Sequence, residues 1–455
     1  MKKFKILSTV ATLIALLMAI NACTTSDLDP STEQNKPVEG GIASDQNLFG
    51  ILKGMYSRMT ASGYYGRDYI INNEVRSDNC FSNGNSGRFT TEAGFKYDAN
   101  TGFFWDEAYA TIASANIVIG TDPAELSGDA EFIKHMQGEA YAIRALVHFD
   151  LVKQYGQQHV GGTLGVPYVT EFKGEDLTPA RNTVEEVKTK IMADLETAFS
   201  MMDESYDISK EFITKYAAKA LEARVAAYFG DWATAKSAAE AVINSGNYEI
   251  VSASGYVASF ATDEPVNSIF ELAFSPTDNR GINGLAYIYR TTSGGSYGDV
   301  QVLDEVADLY EEGDVRADIL GYEGIMLRNI GKYPDNSGYD NVGVIRYEEV
   351  ILIYAEALLE TGGDALTQIN LITSNRGASP YTTVTKDDIL NERRKEFIFE
   401  GHRFEDLCRF HKDIEKISLQ QNFLATIHYG DAILAWPVPQ AEMDANSNMI
   451  QNDGY

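Results

Sequence analysis

The chain begins with an apolar stretch unlike anything that follows it. Lys2, Lys3 and Lys5 precede a nearly uninterrupted apolar run over residues 6–20. As a helix that run spans roughly 22 Å, short of the ~30 Å hydrocarbon core of a bilayer. A basic start with a short apolar run reads as an export leader over residues 1–22, not a membrane span. Beyond it, apolar residues recur mostly every three or four positions, the period of an amphipathic helix. Ala140, Ile143, Val147 and Leu151 stripe a helix expected over 132–155, which Gly156 stops. Thr183 and Glu186 have capping-box spacing at the head of a second helix over 183–200, striped by Val187, Ile191 and Leu195. Between the two, 165–169 reads as a short extended segment.

Residues 213–246 read as two helices joined by Gly230, Asp231 and Trp232. Ala217, Ala220, Leu221 and Ala223 on the first face Ala235, Ala238, Ala239 and Val242 on the second. Small residues at those positions let two helices approach closely, and the unit resembles a tetratricopeptide hairpin. Such a unit needs neighbours to bury its faces. Long helices are also expected over 346–361 and 387–410. Two regions break the pattern: 64–101 and 263–298 are dense in Gly, Asn, Ser, Asp and aromatics, and read as loops carried on a helical scaffold. The expected fold is mainly α, a helical-hairpin scaffold over 42–455 with binding loops inserted near 62–101 and 263–335. Residues 23–41 are poor in large apolar side chains and read as a tether.

Composition narrows the function. Acidic residues number 66 against 37 basic ones, a net charge of −29. Such a surface repels nucleic acid and anionic headgroups. Cys23, Cys80 and Cys408 are too few for a disulfide framework; the last two read as isolated thiols, with pairing left open. The six histidines show no metal-ligand spacing, and no P-loop, HExxH, GxSxG or CxxC pair occurs. No catalytic residue, metal or cofactor is therefore assigned. In the stretch 392–407, acids alternate with arginines at helical spacing, which reads as mutual ion pairing. His402 reads as a helix-surface residue there. Glu396 and Glu400 would serve as acids only if the protein were a surface glycoside hydrolase.

The loops offer better chemistry. Sugars present apolar ring faces and many hydroxyls, so a site for them combines flat aromatics with Asn, Asp and Arg. In the early loops Tyr64, Tyr65, Asp78, Asn79, Phe81 and Arg88 supply that mixture, near Tyr69, Asn83 and Asn85. In the middle loops Tyr287, Tyr289 and Tyr297 do. Trp105 and Trp232 read as helix core.

Two resemblances sharpen this reading. Ala22-Cys23 after the apolar run resembles the lipobox of bacterial lipoproteins, which implies a lipid on Cys23. Glu392 to Phe397 with Glu400 to Leu407 resembles the signature of the SusD/RagB family. So, in the family's order, do Gly138-Glu139-Ala140 with Arg144-Ala145, Gly165-Val166-Pro167, Arg346 to Val350 with Ala355-Glu356-Ala357, and Trp436-Pro437-Val438-Pro439. The resemblance implies an outer-membrane lipoprotein facing the cell surface. It implies delivery of an oligosaccharide to a SusC-like TonB-dependent transporter, over which the protein acts as a lid without catalysis. A peptide ligand is the alternative within the same family. The loops lack the tryptophans typical of starch-binding members, which speaks against starch itself.

Overall fold

The computed structural model describes residues 41–173, 177–291 and 297–455. The leader, Cys23 and the tether up to residue 40 lie outside them. Numbering only helices of seven or more residues, the chain forms α1 (Asp45–Met59), α2 (Asp68–Val75), α3 (Trp105–Gly120), α4 (Ala130–Tyr155), α5 (Val184–Met201), α6 (Lys215–Tyr228), α7 (Trp232–Ser245), α8 (Tyr347–Thr361), α9 (Ala365–Ser374), α10 (Lys386–Phe397) and α11 (Arg403–Arg409). Among the described residues six short strands accompany them: β1 (Cys80–Ser82), β2 (Ser268–Leu272), β3 (Val300–Val302), β4 (Leu320–Glu323), β5 (Met326–Asn329) and β6 (Val342–Arg346). All pair antiparallel, as β1 with β3, β2 with β6 and β4 with β5.

The helices pack largely in sequence: α1 on α3, α3 on α4, then each onto the next through α9, with α10 on α8. This is the nearest-neighbour logic of a repeat array, in which each unit hides the apolar face of the one before. The caps follow the sequence. Asp129 accepts from the amides of Glu131 and Phe132 at the head of α4. The capping box of Thr183 and Glu186 forms in full at the head of α5. Gly138 lets α5 approach α4 closely, because a Cβ there would lie 2.5 Å from Met202 Cγ. In the α6–α7 hairpin the expected alanines are buried. Gly230 turns the chain at φ +73, and Asp231 caps α7 by accepting from the Thr234 amide.

Two expectations fail locally. The expected 387–410 helix is two helices. Phe399 and Gly401 both have left-handed φ, +73 and +81, and the Gly401 amide donates to buried Glu74 at 2.8 Å. A Cβ on Gly401 would sit 3.0 Å from Ile70 Cα, so the break lets α11 settle against α2. The region 64–101, expected as loop, contains α2, whose residues are almost all buried. Cys80 and Cys408 are buried free thiols.

The acid–arginine run at 392–407 forms ion pairs mostly with partners outside its own helices, although Arg393 pairs with Asp406 across the helix break at 2.8 Å and Asp406 with Arg409 within α11 at 3.3 Å. Glu396 is fully buried and accepts from Arg376 Nε at 3.0 Å and Arg346 Nη1 at 3.0 Å. Arg376 and Arg346 also hold Glu348, at 2.7 and 3.1 Å. Arg316 holds Asp314 at 2.8 Å and Glu392 at 2.6 Å. Glu400 binds Arg346 and Lys332. Tertiary partners win because burial removes water as a competitor, and each guanidinium then needs several acceptors. His402, expected at the surface, is half-buried with its ring 5.1 Å from Phe397; burial and nearby Arg224 push its pKa well down.

A separate polar cluster joins α1, α4 and the 203–207 turn. The Tyr56 hydroxyl donates to Glu139 at 2.7 Å, and His135 Nε2 lies 3.6 Å from both Glu139 and Asp207. Burial raises the Glu139 carboxyl from 4.5 to about 8 and Asp207 to about 7.

Two predictions follow from these clusters. Removing one partner of a buried ion pair costs roughly 3–5 kcal/mol, so Glu396→Gln lowers unfolding stability by about that much in denaturant titration; an unchanged midpoint would show the network is not structural. For Glu139 the folded protein prefers the protonated form. The stability this lends is complete below the unfolded value of 4.5 and is lost as pH rises through about 8. Glu139→Gln therefore gains melting temperature relative to the parent as pH rises from about 5 to about 8. A difference that does not change with pH rejects this.

Candidate functional site

The two loop regions converge on one face. β1 and β3 pair with Phe81 opposite Gln301 and Ser82 opposite Val300. The pairing continues past the strand, where the Asn83 amide donates to Asp299 O at 2.9 Å. The 83–88 loop is then knitted to the middle segment by side chains. Asn83 Nδ2 donates to Gly298 O and Asn85 Nδ2 to Tyr297 O, both at 2.7 Å. The Ser86 amide and hydroxyl donate to the two carboxylate oxygens of Asp299, at 2.9 and 2.8 Å. These bonds place the Arg88 guanidinium over the Tyr297 ring, 4.3 Å from its centroid. Both side chains are half-buried. Arg88 Nη1 is buried and has no hydrogen-bond partner among the described residues.

The β4–β5 hairpin extends this face. Arg328, buried on β5, donates to Gly298 O at 2.9 Å and Val300 O at 3.0 Å, and lies 3.2 Å from Glu323 of β4. Glu323 also accepts from the Thr291 amide at 3.1 Å. The two-residue tip holds Gly324 at φ +67, a conformation such loops reserve for glycine. Beside it Tyr322 is 65% and Ile325 92% exposed. Tyr287 is half-buried, and its carbonyl accepts from the Gly298 amide at 2.9 Å. A second loop joins the edge: Asn422 pairs with the backbone of Ser82 in both directions, at 2.9 Å, and carries Leu419 and Leu424 into solvent.

Of the nine residues singled out from the loops, Arg88 and Tyr297 meet on this face, and Tyr287 joins it through its carbonyl while its ring lies close to Gly338. The other six are buried and already engaged. Tyr64 and Tyr65 donate to Asp150 Oδ2, and Tyr69 to Oδ1; burial and that carboxylate raise all three phenols well above their usual range. Asp78 is gripped by Arg403 at 2.7 and 2.8 Å and by Arg394 at 3.1 Å. Burial opposes its ionisation, yet Arg403 and Arg394 hold its carboxyl well below the usual range. Asn79 joins Glu74 to Arg394. Phe81 is buried in the core, and Tyr289 is buried against Phe399 and Tyr333. These residues build the floor that holds the loops. Tyr322 and Ile325 were missed; the signal was Gly324 between two strand-like runs.

Glu396, the acid that a hydrolase reading would use, is not placed for proton transfer. Glu396 is sealed among arginines that hold its carboxyl far below the usual range against the effect of burial, so it has no proton to donate. Among the described residues no group of three or more His, Cys, Asp or Glu is placed to hold a metal ion. No described helix is long and apolar enough to cross a membrane.

Comparison with known proteins agrees with the fold. A family model described as starch-binding, associating with the outer membrane, matches residues 27–227, and the SusD family model matches 322–455. A SusD-like protein, P38, of Formosa agariphila is 24% identical over the full length of both chains. The starch-binding protein SusD of Bacteroides thetaiotaomicron is 30% identical over 27% of this chain and 22% of its own. The crystal structure of a SusD superfamily protein from Bacteroides vulgatus superposes with a TM-score of 0.83 at 28% identity, covering 91% of this chain and all of that one. The helical array, the broken signature helix pair and these matches together make this chain a member of the SusD/RagB family.

Proposed function

We propose that the protein is a cell-surface nutrient-binding lipoprotein that captures an oligosaccharide on its loop face and hands it to a SusC-like TonB-dependent transporter, acting as that transporter's lid. The observation that carries this reading is the convergence of the two loop regions around Arg88 and Tyr297. A half-exposed aromatic ring held under a guanidinium, beside several amide side chains, suits a polyhydroxylated ring. The rest of the face is compatible with cover by a partner. Leu419, Leu424 and Ile325 are exposed apolar groups near its rim, and such groups commonly mark contact surfaces. The starch-binding relative and the family description support a glycan over a peptide. Lipidation of Cys23 would hold the protein at the outer membrane beside the barrel.

Loss of the Tyr297 ring or of the guanidinium over it should each weaken binding by about tenfold, roughly 1.4 kcal/mol. Arg88→Ala and Tyr297→Ala, titrated calorimetrically with malto-, laminari- and xylo-oligosaccharides, test this. Unchanged affinity in both variants, or binding of a peptide mixture alone, removes the glycan reading of this face. Independently, Cys23→Ser moves the protein from the membrane fraction to the soluble one. A variant still retained at the membrane would count against the anchor.

A further inference from the structure

A second concavity shares no residue with the loop face. It lies where the α6–α7 turn, the end of α11 and the turn after α4 meet, and its volume is about 390 Å³. That falls within the ~300–1,000 Å³ typical of small-molecule sites. Trp232 and Phe410 wall it, and Tyr228, His159 and His411 line it.

Trp232, expected in the helix core, sits instead at the start of α7, half-exposed to this cleft. The left-handed Gly230 and the Asp231 cap bring it there. The other two tryptophans, Trp105 and Trp436, are 3% and 1% exposed. The polar groups are arranged rather than scattered. Tyr228 OH lies 2.7 Å from His159 Nε2. Tyr429 ties the two histidines together: it lies 3.4 Å from His159 Nδ1 and stacks on the His411 ring at 4.5 Å. His411 is exposed and has φ +54. Non-glycine residues in that region cost free energy and concentrate at functional sites.

The cleft is close to neutral despite the protein's large negative charge. Arg409 on its wall is matched by Glu356 at 2.7 Å and Asp406 at 3.3 Å. Lys386 is matched by Glu360. Burial, with His411 nearby, holds the His159 imidazole down to about 4, so it is uncharged at neutral pH. Among the described residues no strand borders the cleft, so they offer no edge for pairing with an extended peptide. An aromatic wall with neutral hydrogen-bonding groups and no counter-charge suits an uncharged polyhydroxylated ring.

We propose that this cleft is a second carbohydrate site, taking a neutral saccharide segment stacked on Trp232. This rests on the reading of the protein as a glycan binder, but not on the loop face. Two sites on one rigid scaffold would bind a polymeric glycan more tightly than either alone, through effective concentration.

Because Trp232 is the one half-exposed tryptophan, acrylamide quenching of intrinsic fluorescence reports on this cleft selectively. Millimolar malto-, laminari- or xylo-oligosaccharides should protect the fluorescence saturably. The protection should persist in an Arg88→Ala/Tyr297→Ala double variant, disappear in Trp232→Phe, and need about tenfold more ligand in Phe410→Ala. No protection by any of the three sugars overturns the proposal, as does protection abolished by the double variant. Protection that survives while calorimetry shows the loop variants unimpaired would sink the loop-face reading and leave this one standing.

Discussion

The buried charge network around Glu396 fixes how the irregular segment 314–332 sits on the helical scaffold. Four cations, Arg316, Arg346, Arg376 and Lys332, face five acids, Asp314, Glu348, Glu392, Glu396 and Glu400, all buried except Glu400, which is half-buried. Isolated, any of these charges would be costly to bury; together they satisfy one another, and loss of one strands its partners. Their positions in the chain explain what the network does. Arg316 lies just before the β4–β5 hairpin and Lys332 just after it. The acids come largely from α8, α10 and the turn that follows. The network therefore pins both ends of an irregular segment to the helical scaffold. With the bonds from Arg328 to Gly298 O and Val300 O, it fixes the position of the hairpin that extends the candidate binding face.

A similar device secures the early loops. Asp150 of α4 collects three tyrosine hydroxyls, and Asp78 collects two arginines. Arg76, buried, lies 3.8 Å from the Phe404 ring and 4.4 Å from that of Trp436. The polar chemistry that could have served a ligand is spent on holding the floor rigid. In the proposed reading, solute meets a thin layer above it, Arg88, Tyr297 and Tyr322, presented by loops tied at both ends. Pre-organisation of this kind lowers the entropic cost of binding.

The scaffold was legible in the sequence and the site only in outline. Helices α4, α5, α6 and α7 followed from apolar period, capping residues and small-residue spacing, because burial of one stripe dictates those features locally. The break at Phe399–Gly401 was not legible, since its cause is the approach of Ile70, more than three hundred positions away in the chain. The loop regions were found by composition. Composition could not separate Tyr64 from Tyr297, because a tyrosine that anchors a floor and one that faces solvent differ only in their tertiary surroundings. Trp232 was misplaced for the related reason that a residue just after a turn can face either way.

The central claim is that ligand is taken up by loops fixed on a scaffold that does not itself move. Hydrogen exchange measured with and without a bound neutral oligosaccharide tests it most directly. The account predicts slowed exchange in the segments 83–88, 297–299 and 320–329, with the amides of α4 and α5 unchanged. Saturable binding that leaves all three segments unprotected, or that alters exchange throughout α4 and α5, would contradict it.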